Sequence, residues 1–121
     1  MNYITIDGDD IGQKITSAYL NNNVHELIRV NDLVQEKTKQ IATFLKSQGC
    51  EIIFCAADGV AGVSVSEINT EYFYSKIKLI AEDKLSFSVG VGETLRDAYV
   101  ALLSAKSAGK AQLQNFKNMG Q

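Results

Sequence analysis

The chain has no proline, a single histidine (His25), two cysteines and a formal net charge of only −2 over 121 residues. Each scarcity removes a class of protein. Without ligand-spaced histidines, and with only two cysteines, neither a structural zinc site nor a disulfide scaffold is expected. Cys50 and Cys55 lie five apart along an expected strand and so on opposite faces, where they do not readily pair. A near-neutral surface is a poor match for a nucleic-acid duplex, so any phosphate site must be local. No apolar run approaches the roughly 20 residues of a membrane span, and Met1-Asn2-Tyr3 does not begin a secretory leader. The absence of proline fits a compact domain without a hinge. The expectation is one domain over residues 1–121, without membrane insertion, in a reduced cytoplasm.

What is present is a pair of apolar runs that each stop on an aspartate. Tyr3-Ile4-Thr5-Ile6 ends on Asp7 and opens the phrase Asp7-Gly8-Asp9-Asp10-Ile11-Gly12, while Ile52-Ile53-Phe54-Cys55-Ala56-Ala57 ends on Asp58-Gly59. Two such strands side by side would place hard oxygen ligands at one point, as a divalent ion on a triphosphate requires.

Periodicity reads as strand, helix, helix, strand, strand, helix, strand, helix. The first strand spans Asn2 to Asp7, and a short helix runs to Leu20, where Asn21-Asn22-Asn23 breaks it. Val30, Leu33, Val34, Ile41, Phe44 and Leu45 keep helical spacing up to Gln48-Gly49. Ile52–Ala56 and Val60–Val65 read as a hairpin around Ala57-Asp58-Gly59, and Phe73, Ile77, Ile80 and Ala81 stripe a third helix. Leu85, Phe87, Val89 and Val91 alternate with Ser86, Ser88, Gly90 and Gly92, giving a strand with one bulky and one small face. Thr94 caps the last helix, with Asp97 at its third position. The pattern predicts an α+β fold with an antiparallel sheet and helices on one face. The small face, including Ser88, is then the uncovered side, open to a ligand or a second subunit.

Several of these residues have ordinary uses. Asp-Gly is common turn chemistry, Asp9 and Asp10 suit helix N-caps, and Lys106 and Lys110 complement a helix C-terminus. Asp7 is harder to assign to turn or cap, because a carboxylate closing a buried strand costs free energy unless it is paired or metal-bound.

Together the motifs resemble palm-domain nucleotide cyclases. Asp7-Gly8-Asp9-Asp10-Ile11-Gly12 is similar to their first palm motif. Ala56-Ala57-Asp58-Gly59 stands where diguanylate cyclases carry Gly-Gly-Asp/Glu-Glu and type III CRISPR polymerase subunits carry Gly-Gly-Asp-Asp. Ser88-Val89-Gly90-Val91-Gly92 and Ala105-Lys106-Ser107-Ala108-Gly109-Lys110 resemble the closing strand and the helix end of the same superfamily. The compactness resembles the minimal CRISPR polymerase family, associated with antiviral defence and cyclic nucleotide synthesis.

The resemblance implies a ferredoxin-like palm of the cyclase/GGDEF type. In it Asp7 and Asp58 are catalytic and, with the Gly8 carbonyl, hold two Mg2+ (or Mn2+) ions. Gly8, Asp9, Asp10, Ile11 and Gly12 would cradle a triphosphate, with Ser88, Lys106 and Lys110 beside it. ATP is the favoured substrate, in a homodimer with the uncovered faces opposed, and a separate effector would sense the cyclic product. Two departures stand out: both hairpin glycines are alanine, and Gly59 replaces an acidic residue. A catalytically degenerate palm that binds nucleotide or a partner protein, and a GTP-hydrolysing enzyme on the same fold, stay open as alternatives.

Overall fold

The computed structural model describes residues 1–120. Its elements are β1 (Asn2–Gly8), α1 (Ile11–Leu20), α2 (Val24–Ser47), β2 (Glu51–Ala56), β3 (Gly59–Ser64), α3 (Thr70–Ala81), β4 (Phe87–Gly92), α4 (Leu95–Ser107) and β5 (Leu113–Asn115). A 3-10 turn over Phe116–Asn118 follows β5. The sheet runs β2-β3-β1-β4-β5, so β1 is central, flanked antiparallel by β3 and β4. The eight expected elements form in the expected order. Asn23, Asn69 and Thr94 cap α2, α3 and α4, each accepting from the backbone N–H three residues on.

The α+β palm architecture is present, with two corrections. The sheet is mixed rather than wholly antiparallel, because β5 adds beside β4 in parallel. The helices lie on both faces. Ile4 and Ile6 of β1 and Phe87, Val89 and Val91 of β4 pack with Val30, Val34 and Ile41 of α2 and Phe73 and Ile77 of α3. Strand alternation turns Gly90 and Gly92 the other way, and α4 lies directly on them. A Cβ on Gly90 would collide with the Ala98 carbonyl and the Leu102 amide, and one on Gly92 with the backbone of Asp97 and Ala98. The small face is therefore closed by the chain's own helix, whose Ala98, Ala101 and Ala105 are buried against it. The glycines admit a helix backbone rather than a ligand or a second subunit.

Candidate functional site

Strand register brings the two strand-end aspartates together. Asp7 pairs with Gly59, so the turn holding Asp58 sits at the end of β1. The Gly8 amide donates to the Asp58 carbonyl at 3.0 Å, tying hairpin to loop. Gly8 is needed there: an added Cβ would lie 2.8 Å from Ile11 Cγ1 and 3.3 Å from Asp58 Cβ. The hairpin turn places Ala57 at φ 49°, in the left-handed region that glycine occupies without strain.

Asp7 is half-buried. Burial and then repulsion by the Asp58 carboxylate push its carboxyl above the usual range, outweighing the ammonium of Lys106. Asp7 Oδ2 lies 3.2 Å from Lys106 Nζ, while the position of a Cβ on Gly59 would be 3.6 Å from Oδ1. One carboxylate oxygen thus meets the lysine and the other leans toward the hairpin.

Asp9 behaves differently. It is 3% exposed and collects four donors: Ser86 Oγ and Ser88 Oγ, each at 2.7 Å, Lys106 Nζ at 2.8 Å and the Ala111 amide at 3.0 Å. Burial pushes its carboxyl up, but the hydrogen bonds from Lys106, Ser88 and Ser86 and from the Ala111 N–H outweigh that and hold it below the usual range. Its own amide donates to the Ser86 carbonyl at 2.9 Å. Asp9 is therefore no helix N-cap, and its N–H is not available to a phosphate. Ser88 is fully buried with its hydroxyl committed to Asp9, so it supports the site from beneath rather than lining it. The sequence carries only half of the signal for this centre: Ser86 and Ser88 stand two apart at the start of β4, opposite the end of β1.

Asp10 occupies the N-cap position of α1 at φ 60°, without a side-chain cap, and its carboxylate pairs with Lys110. Lys110 is carried there by the turn after α4, where Gly109, Lys110 and Ala111 all have positive φ and the Lys110 amide donates to the Ala105 carbonyl at 2.9 Å. Ile11 and Gly12 form the first turn of α1, whose amides lack partners within the helix.

Two grooves flank the hairpin tip. One, of about 580 Å³, lies between α1, α2 and β2 and is lined by Gly12, Ile15, Val34, Gln35, Ala57 and Asp58 among others. The second, of about 490 Å³, lies under α4 and includes Asp7, Phe54, Asp58, Tyr99, Leu103 and Lys106. Both reach Asp58.

The donor set fits divalent magnesium or manganese in kind: Asp7, Asp58 and the Gly8 carbonyl are all hard oxygens. Lys106 Nζ already places a positive charge between Asp7 and the Gly8 carbonyl, which it meets at 2.9 Å. No cluster of three or more His, Cys, Asp or Glu side chains with metal-holding geometry occurs among the described residues. Nor is any helix there long and apolar enough to cross a membrane. Cys50 and Cys55 are both free thiols.

Solved structures show the same fold. The GGDEF domain of DgcB from Caulobacter crescentus, in complex with c-di-GMP, superposes with a TM-score of 0.76 at 10% identity, over 97% of this chain and 78% of that one. The GGDEF domain of YfiN (TpbB) from Pseudomonas aeruginosa gives 0.62 at 16% identity, over 94% and 75%. No curated protein sequence matches the chain. Residues 3–116 match the minimal CRISPR polymerase domain, mCpol, and this span takes in both aspartate-ended strands, the hairpin and both lysines. The chain belongs to the minimal CRISPR polymerase family.

Proposed function

We propose that the protein is a nucleotidyltransferase of cyclase type, joining nucleoside triphosphates, with ATP favoured, into a cyclic di- or oligonucleotide signal. The observation that carries this reading is the convergence of Asp7, Asp58 and the Gly8 carbonyl at one sheet edge, with Lys106 and Lys110 beside them. Asp7, Asp58 and Gly8 would hold two divalent ions, Mg2+ or Mn2+. When bound, these supply a lowered pKa at an attacking ribose hydroxyl and neutralise charge on the leaving pyrophosphate. The first-turn amides of Ile11 and Gly12 offer donors and a helix dipole to the phosphates. Lys110 and Lys106 add charge close by, and the Asp10 carboxylate holds Lys110 in reach. The larger groove has apolar walls in Ile15 and Val34 and amides in Asn31 and Gln35, which suits a nucleoside base.

Closing a ring takes two bond-forming events, and a homodimer supplies two triphosphate grips facing each other. Because α4 closes the small face, the shared cleft is assigned instead to the groove under α4. There Phe54, Leu95, Tyr99 and Leu103 leave about half of each side chain exposed beside Asp7 and Asp58. A separate effector sensing the product, in antiviral defence within the cytoplasm, completes the reading.

Incubation with each of the four nucleoside triphosphates and Mg2+, followed by mass spectrometry, tests it. Pyrophosphate release with a cyclic phosphodiester product is expected from ATP. Binding of nucleotide without turnover would instead favour a degenerate palm, as would be fitting for the strained Ala57.

A further inference from the structure

An ammonium group has three N–H bonds, and Lys106 is surrounded by three acceptors: Asp9 Oδ1 at 2.8 Å, the Gly8 carbonyl at 2.9 Å and Asp7 Oδ2 at 3.2 Å. Two of these contacts are hydrogen bonds and the third, to Asp7, is an ion pair, so a phosphate reaches the ammonium by displacing a protein oxygen. Two of the three acceptors, Asp7 Oδ2 and the Gly8 carbonyl, belong to the donor set assigned to divalent ions under the proposed function, on which this inference rests. The three contacts are not equal. Asp9 has a side chain only 1% exposed and would be left as an uncompensated buried charge if Lys106 departed. Asp7 is 39% exposed in its side chain, makes the longest contact, and has its other oxygen and Asp58 facing the groove.

We propose that Lys106 is a resident counter-cation that competes with a divalent ion for Asp7 and Gly8. Asp9 is its fixed anchor. The lysine pivots on Asp9, giving up Asp7 and the Gly8 carbonyl when a triphosphate offers it new acceptors. The two ion positions are consequently unequal. Asp58 with Asp7 Oδ1 is accessible in the nucleotide-free chain. A position using Asp7 Oδ2 and the Gly8 carbonyl opens only as Lys106 moves onto phosphate. Lys106 thereby couples nucleotide arrival to completion of the ion pair, and a nucleotide-free chain is kept from filling its site with metal.

The test is Mn2+ binding to the full chain without nucleotide, followed by electron paramagnetic resonance and calorimetry. Lys106→Met removes the competing cation, and Lys106→Gln removes the charge while keeping a donor for Asp9, should the methionine variant fail to fold. Lys110→Met removes an equal charge from the turn that follows α4 without touching Asp7. Both Lys106 variants are expected to bind Mn2+ about tenfold more tightly, or to take up an additional ion, matching loss of a charge-assisted competitor. Lys110→Met is expected to stay within about twofold of the unmodified chain. Equal or weaker Mn2+ binding by the Lys106 variants overturns the inference, and so does an equal gain in Lys110→Met, which would show only a general field effect. If no chain binds Mn2+ at millimolar concentration, the metal-dependent function falls along with it.

Discussion

Asp7 and Asp9 are two residues apart and share Lys106, yet they stand in opposite electrostatic conditions. Asp9 is sealed beneath the sheet edge with four donors, and its carboxyl is held below the usual range. Asp7 faces a groove, shares space with Asp58, and is pushed up by burial and by that neighbour. The first is arranged for stability. The second is left short of positive charge, the condition in which a carboxylate recruits a cation. The difference arises from chain geometry: Asp7 ends a strand beside a hairpin that carries another acid, while Asp9 turns under β4 onto Ser86 and Ser88.

The largest effect is expected at Asp9. Asp9→Ala strips a counter-charge from Lys106 and leaves two serine hydroxyls and the Ala111 amide unpaired. A loss of about 3–5 kcal/mol is expected, as when one partner of a buried ion pair is removed. Denaturant unfolding reads it directly, and a loss below 1 kcal/mol would contradict the structural role. The pH dependence has a fixed sign. Because the folded-state carboxyl of Asp9 lies below its ordinary 3.8, its contribution is full above that pH and is lost as pH falls through the folded value. Asp7 acts oppositely: its raised carboxyl favours the folded state below 3.8, an advantage lost as pH rises through its folded value.

Much of this was legible in the sequence, and the failures are informative. The aspartate-ended strands, the hairpin at Ala57-Asp58 and the Thr94 cap follow from local patterning that tertiary context does not overturn. The small face of β4 is closed rather than open: glycine in a strand marks close approach without naming what approaches. Ala98, Ala101 and Ala105, a stripe of small residues on α4, are the matching half of that contact and identify the occupant. β5 carries no strand signal for a different reason. Leu113–Asn115 is three residues long, shows no alternation, and is a strand only because β4 offers it a parallel edge. The Asp9 centre was hidden in an acidic run, where sequence alone does not tell which carboxylate turns inward.

At Asp58 the expected effect falls on activity rather than on stability. Asp58→Asn keeps the turn's shape but removes the charge that repels Asp7 and that the proposed ions require. Product formation is expected to fall below detection while the melting temperature holds or rises. Asp7 should titrate lower than in the unmodified chain, readable from its carboxyl carbon by nuclear magnetic resonance. Retention of most activity would remove Asp58 from the ligand set. A drop in melting temperature would show that it is a structural acid like Asp9.

The smallest effect is expected one residue earlier, at Ala57, where stability and reactivity meet. Its φ of 49° costs an L-residue roughly 1–2 kcal/mol relative to the right-handed region, and glycine is free of that cost. Ala57→Gly also loosens the unfolded chain by about 0.4–1 kcal/mol, which offsets part of the gain. The net expectation is stabilisation by about 0.5–1 kcal/mol, seen as a small rise in the denaturation midpoint. The methyl group lines the larger groove beside Asp58, so its removal widens the approach to the hairpin without altering any charge. Product formation should therefore be maintained or modestly increased. If Ala57→Gly destabilised the chain, the hairpin would not be holding a strained turn. If it abolished activity while leaving stability intact, the alanine would be shaping the nucleotide site rather than merely tolerated in it.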